Sequence, residues 1–203
     1  MAEVENLDLL VADFIRITPR PAKKSARPVA IVLVGPPFSG KTKVTADLAK
    51  TLPLAIVSEV SIGSYLAPKA TFFKRGTEEI FLLATRAIAE LIKKGTSIIF
   101  DASVKKRADR NLLRDIVAKA GGTMVLIQLL PPEQDVYEKL KRANNEILRG
   151  DTKGFIMDKD LLSYEVHTIE NPGDDERALT CNAFNDLDRE KVRNQIQSLL
   201  EQK

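Results

Sequence analysis

The chain has 203 residues, 44% hydrophobic and 29% charged, with a formal net charge of +3. That suits one domain with a real hydrophobic core, and so weak a basicity does not by itself demand nucleic acid. The lone Cys181 excludes an internal disulfide, the lone His167 is too solitary for a metal cluster, and no apolar run reaches the ~20 residues that span a membrane. Glu3, Glu5 and Asp8 give the start of the chain the wrong charge for a secretory signal, so a cytoplasmic protein is expected.

Residues 4–17 place Leu7, Leu10, Phe14 and Ile17 at spacings of three and four, which predicts an amphipathic helix. Two readings stand: it packs on its own domain, or it contacts a partner or a second copy of the chain. Arg16, Arg20, Lys23, Lys24 and Arg27 then alternate with Pro19, Pro21 and Pro28 in an extended basic linker, either solvated or touching a phosphate-rich partner. The helix and linker make up residues 1–27, and the main domain is expected over 28–203.

The run at 28–34 is continuously apolar and rich in β-branched residues, which predicts a strand buried on both faces. Helical spacing follows over 41–52, then a short strand at 54–58. Residues 77–94 read as a helix, with Thr77 as N-cap, Glu78 and Glu79 in the first turn, Lys93 and Lys94 in the last, and Gly95 beyond. A strand over 96–101, a helix over 105–120, a strand over 123–130 and a charged helix over 133–149 come next. A last strand near 178–181 and a helix over 187–201 close the chain. Strands alternating with helices imply an α/β fold with a parallel sheet covered on both faces.

Gly35, Pro36, Pro37, Phe38, Ser39, Gly40, Lys41 and Thr42 fit the Walker A pattern G-x-x-x-x-G-K-S/T at every fixed position, between a buried strand and a helix. Glycines let the backbone approach phosphate oxygens, and successive N–H groups at a helix start bind an anion. Lys41 would reach the terminal phosphates and the Thr42 hydroxyl would ligate magnesium, so ATP with Mg²⁺ is the expected ligand.

Other candidates cluster at the carboxyl edge of the sheet. Asp101 ends a buried strand and reads as the second magnesium ligand, or as a helix cap. Lys105, Lys106, Arg107, Arg110 and Arg114 follow, with 107, 110 and 114 on one helix face. Arg110 is the candidate nucleotide contact there, with a phosphorylated acceptor or plain solvent as the alternatives. Glu59 ends the second strand and is placed to orient and deprotonate an acceptor hydroxyl, or is simply a loop acid.

These motifs together resemble the P-loop kinases grouped with polynucleotide 5′-hydroxyl kinases, zeta-type toxins and adenylylsulfate kinases. Carrying the resemblance are the P-loop, Gly95 before the second acidic strand, the segment from Ile98 to Ser103, Arg110, and the stretch from Leu129 through Lys139 to Arg142. The segment 168–176, proline-containing and acidic, is similar to one late in such kinases. Ser103 stands where many relatives have asparagine, and Glu59 where the polynucleotide kinases have aspartate. The resemblance implies a three-layer α/β/α P-loop fold, a five-stranded sheet ordered 2-3-1-4-5, and a helical lid over 133–149. It implies that Arg142, then Arg149, face the nucleotide from the lid, and that the γ-phosphoryl of ATP moves to a hydroxyl on a nucleic-acid end or a small molecule. A nucleotide-gated binding module and a plain NTPase are the alternatives; a bare surface helix is the alternative for the lid.

Overall fold

The computed structural model describes residues 2–67, 77–152 and 154–201. Five strands, β1 (Val29–Val34), β2 (Ala55–Ser58), β3 (Ile98–Asp101), β4 (Thr123–Leu129) and β5 (Leu179–Cys181), form one parallel sheet in the order β2-β3-β1-β4-β5, as expected. Helices α1 (Ala2–Ile17), α2 (Lys41–Thr51), α3 (Glu59–Leu66), α4 (Thr77–Lys93), α5 (Arg107–Lys119), α6 (Glu133–Leu148), α7 (Lys159–His167) and α8 (Asp186–Glu201) surround it. The Thr77 side chain, expected to cap α4, lies outside the described residues.

Every residue of β1 is buried, because successive side chains feed two different cores. Ala30, Val32 and Val34 pack with Leu83, Ile88 and Leu91 of α4 and with Leu113 and Val117 of α5. Val29, Ile31 and Leu33 pack with Val44 and Leu48 of α2 and with Val192 and Ile196 of α8. A small third cluster joins Val136 and Leu140 of α6 to Leu162 of α7, with Phe38, Tyr137 and Met157 against it.

Helix α1 shares the first core. Val11, Phe14 and Ile15 are buried against it, while Ile17, expected on the apolar face, is 54% exposed. The apolar face has turned by one position to include Val11 and Ile15. Arg20, Lys23, Lys24 and Arg27 of the linker are exposed, and Ser25 N–H donates to Gly95 O at 2.8 Å, tying the linker to the end of α4. Short helices α3 and α7 and a 3-10 turn at Asp174–Glu176 were not anticipated from spacing. No helix among the described residues is long and apolar enough to cross a membrane.

Candidate functional site

The loop between β1 and α2 is shaped by two glycines with no steric alternative. A Cβ on Gly35 would sit 2.8 Å from Ser39 Oγ and 2.9 Å from Leu129 Cβ. Gly40 has φ 91°, and a Cβ there would meet that of Ala183 at 2.5 Å. Phe38, with φ 63°, also takes the left-handed conformation. The loop therefore curls and delivers the chain into α2, whose first-turn amides have no intrahelical acceptor. Ser39 Oγ is buried without a hydrogen-bond partner. A ring of amides and an orphaned hydroxyl suit a polyphosphate.

Lys41 lies across the mouth of this loop. Its Nζ donates to Gly35 O at 3.1 Å and Pro36 O at 2.8 Å. Burial brings its pKa down to about 8, against the opposing pull of Asp101 and Glu59. Because β3 is the neighbour of β1, Asp101 arrives beside the start of α2, and Thr42 Oγ1 donates to Asp101 Oδ1 at 3.4 Å. A hydroxyl and one carboxylate, both hard oxygen donors, fit a magnesium ion that takes its other ligands from phosphate and water. Among the described residues no group of three or more His, Cys, Asp or Glu forms a denser metal cage.

Ser103, expected only as a departure from asparagine, braces the cradle. Its hydroxyl donates to Gly35 O at 2.8 Å and accepts from Gly35 N–H at 3.4 Å. Val104 N–H then donates to Leu33 O at 3.1 Å, fastening the segment after β3 to β1.

Two clefts meet at Lys41. One is lined by Phe38, Gly40, Thr42 and Lys43 of the cradle and by Lys139, Arg142 and Ala143 of α6. There Arg142 is 76% exposed, with Glu146 at 3.4 Å as its partner. The other, of about 820 Å³, runs between the cradle, α3, α4 and α7, and includes Glu59, Phe81, Ser103, Lys105 and Glu165. Glu59 opens α3, held there by Ser58, whose side chain accepts from Ser61 N–H at 3.0 Å. Glu59 keeps an exposed surface, yet the surrounding cleft walls desolvate its carboxyl enough to raise its pKa, while Lys41 and Lys105 pull it back.

Two arginines are placed otherwise than expected. Arg110 is fully buried and bonds Glu176 through both Nε, at 2.7 Å, and Nη2, at 2.8 Å. Its Nη1 donates to Lys105 O at 2.9 Å, so it points into the fold and leaves no exposed surface for a ligand. Arg149 lies at the far end of α6, beside Glu138, Asn145 and Asp151 and outside both clefts that meet at Lys41. Two neighbouring cations are also engaged, Arg107 with Asp175 at 2.6 Å and Lys106, just before α5, with Glu170 at 3.5 Å, while Arg114 donates to Asn111 Oδ1 at 3.1 Å on its own helix. The acidic segment 168–176 is thus the counter-charge of the start of α5, through Glu170, Asp175 and Glu176.

The α7 helix supplies residues that spacing did not single out. Asp158 caps it, accepting from Leu161 N–H at 2.8 Å, and this Asp before an apolar pair was the legible signal. Glu165 of α7 pairs with Lys105, carrying the helix onto the rim of the second cleft.

The fold is similar to that of several solved kinases and their relatives. Kti12 from Chaetomium thermophilum, solved with ADP-AlF3, is 16% identical with a TM-score of 0.61, covering 85% of this chain and 100% of that one. The Mycobacterium tuberculosis APS kinase CysC, solved with AMPPNP and APS, is 17% identical with a TM-score of 0.59, covering 87% and 99%. A gluconokinase from Sinorhizobium meliloti is 16% identical with a TM-score of 0.57, covering 88% and 96%. Residues 31–151, from inside β1 through the cradle and Asp101 to just beyond α6, match the family described as AAA domain; since they are more than half of the sequence, the chain belongs to that family, on a P-loop kinase-like fold.

Proposed function

We propose that this chain is an ATP- and magnesium-dependent phosphotransferase that moves the γ-phosphoryl group of ATP to a hydroxyl. The supporting observation is the position of Lys41, the one cradle lysine that lines both clefts. A donor lying under α6 and an acceptor lying against Glu59 would meet at its ammonium.

Each residue has a task in that reading. The loop amides and the start of α2 hold the β- and γ-phosphates, and Lys41 leaves the carbonyls of Gly35 and Pro36 for phosphate oxygens. Thr42 and Asp101 hold magnesium, which neutralises phosphate charge when bound. Arg142 swings from Glu146 onto the transferred group, where charge spreads over three oxygens. Glu59 accepts the proton of the acceptor hydroxyl; the new P–O bond forms as the bond to the β-phosphate oxygen breaks, and ADP departs. A carboxyl whose pKa is raised by desolvation is a better base for that transfer than a glutamate in open solvent.

The experiment is γ-labelled ATP with a pooled acceptor panel that includes 5′-hydroxyl DNA and RNA, followed by identification of the labelled product. Label on an acceptor supports the reading. Label released only as free phosphate identifies a plain NTPase, and ATP binding without turnover identifies a nucleotide-gated module.

A further inference from the structure

We propose that the acceptor is a small alcohol carrying a positive charge, an amino alcohol or amino sugar, held in the cleft between α3, α4 and α7. The inference rests on the phosphotransferase reading and concerns its unassigned half.

Two of the three lysines on the cleft wall are already paired. Lys105 is paired with Glu165, and Lys106 with Glu170 at 3.5 Å. Lys105 is further fixed by its backbone, whose carbonyl accepts from Arg110 Nη1 at 2.9 Å and from Glu170 N–H at 3.1 Å. Lys41 faces the loop carbonyls and is needed at the phosphates. The lysines therefore have little left to offer an anionic acceptor. Glu59, Glu78 and Asp109 line the same cleft and form no ion pair among the described residues. Glu59 is faced by Lys41 and Lys105, so the uncompensated negative charge of the described wall is that of Glu78 and Asp109.

The lining also has an aromatic part. Phe81 of α4 and Tyr164 of α7 face the same space, and Tyr164 is 65% exposed. Aromatic faces beside carboxylates attract an ammonium group by two routes, ring quadrupole and ion pairing. They offer nothing comparable to phosphate or carboxylate. A polynucleotide end would bring its backbone phosphates against Glu78 and Asp109, where like charge opposes binding. The cleft, about 820 Å³, is of a size that encloses a small molecule.

The chemistry of the lining residues sets the poles of such an acceptor in this pose. Its hydroxyl lies towards Glu59 and Lys41, at the junction with the nucleotide groove. Its ammonium lies outward, between Glu78, Asp109 and the two rings.

The test uses the full chain, γ-labelled ATP and a pool of hydroxylated metabolites separated by charge into cationic, neutral and anionic fractions, with 5′-hydroxyl RNA as a fourth arm. Label should enter the cationic fraction at least about tenfold faster than any other, the difference one good charge pair makes. Preferential label in the neutral or anionic fraction, or on RNA, overturns the inference while leaving the phosphotransferase reading intact. No labelled acceptor in any arm, with ATP bound, overturns both. In the double variant E78Q/D109N the KM for the cationic acceptor should rise on the order of tenfold, with kcat and nucleotide affinity within about twofold of the parent. An unchanged KM in a variant of unchanged Tm removes those two carboxylates from recognition and sinks the proposed pose.

Discussion

Lys41 carries a conflict between folding and chemistry. Burial favours its neutral form and lowers its pKa from the usual 10.5 to about 8, whereas phosphate recognition needs the cation. Since the folded value lies below the unfolded one, the unfolded chain holds the extra proton between these two pH values. The desolvation cost on the charged lysine is therefore present in full below about pH 8 and relaxes as pH rises towards 10.5. A bound polyphosphate reverses the balance by drawing the proton back. ATP binding at pH 9 should then take up a proton, seen as a calorimetric heat that varies with the ionisation enthalpy of the buffer. Affinity should weaken as pH climbs through 8, and a pH-independent affinity from 7 to 9.5 would contradict the assignment. K41A should lower turnover by roughly 10² or more, since it removes the main side-chain charge at the phosphates. Arg142 differs in kind: exposed and loosely paired, it contributes little before the reaction begins. R142A should reduce kcat by on the order of tenfold or more and leave nucleotide affinity nearly unchanged. Equal losses in both would make it an ordinary binding residue.

At the scale of elements, the Arg110–Glu176 pair joins α5 to the turn before β5 through two side chains with no exposed surface. Replacing one partner leaves a buried charge unanswered, so E176Q or R110M should cost about 3 kcal/mol in denaturant unfolding. The Arg110 guanidinium holds the Glu176 carboxyl below its usual range. Its folded pKa is depressed, so the pair's stabilisation is complete above the unfolded value and fades as pH falls through the folded one. Wild-type stability should drop more steeply than that of E176Q under acid, and parallel acid profiles would deny the pair this role. The same contact marks where sequence reading stops. β1 was legible because a strand buried on both faces is apolar throughout, and the cradle because its glycines and lysine stand at fixed spacing. Arg110 was assigned to the nucleotide because helical period shows which residues share a face. It does not show that an acid 66 positions away will meet that face. Helices α3 and α7 escaped for another reason: eight and nine residues are too few for an apolar period to stand out, and Gly63 weakens the first further.

At the scale of the whole molecule, the first helix reaches the candidate site through the core. Phe14 of α1 packs edge-on against Tyr65 of α3, with ring centroids 5.5 Å apart and planes at 60°. Tyr65 in turn donates its hydroxyl to Leu10 O at 3.2 Å and to Asp13 Oδ2 at 2.9 Å. Helix α3 begins at Glu59 and carries Tyr65 near its other end, so α1 grips the tail of the element whose head faces the proposed acceptor cleft. Phe14 is 2% exposed, and F14A would open a cavity costing about 3–5 kcal/mol, or roughly 10 °C in Tm for a chain of this size. In the molecules that remain folded, α3 should lose the ring contact that helps anchor it while the cradle, built from β1, α2 and Ser103, keeps its own. Acceptor-dependent kcat/KM should therefore fall further than ATP affinity, measured at a temperature where circular dichroism shows F14A still folded. F14L, which refills most of the volume, should recover both stability and acceptor use. A stability loss below about 1 kcal/mol would mean that α1 merely rests on the domain, and equal loss of ATP affinity would mean that its influence is not routed through α3.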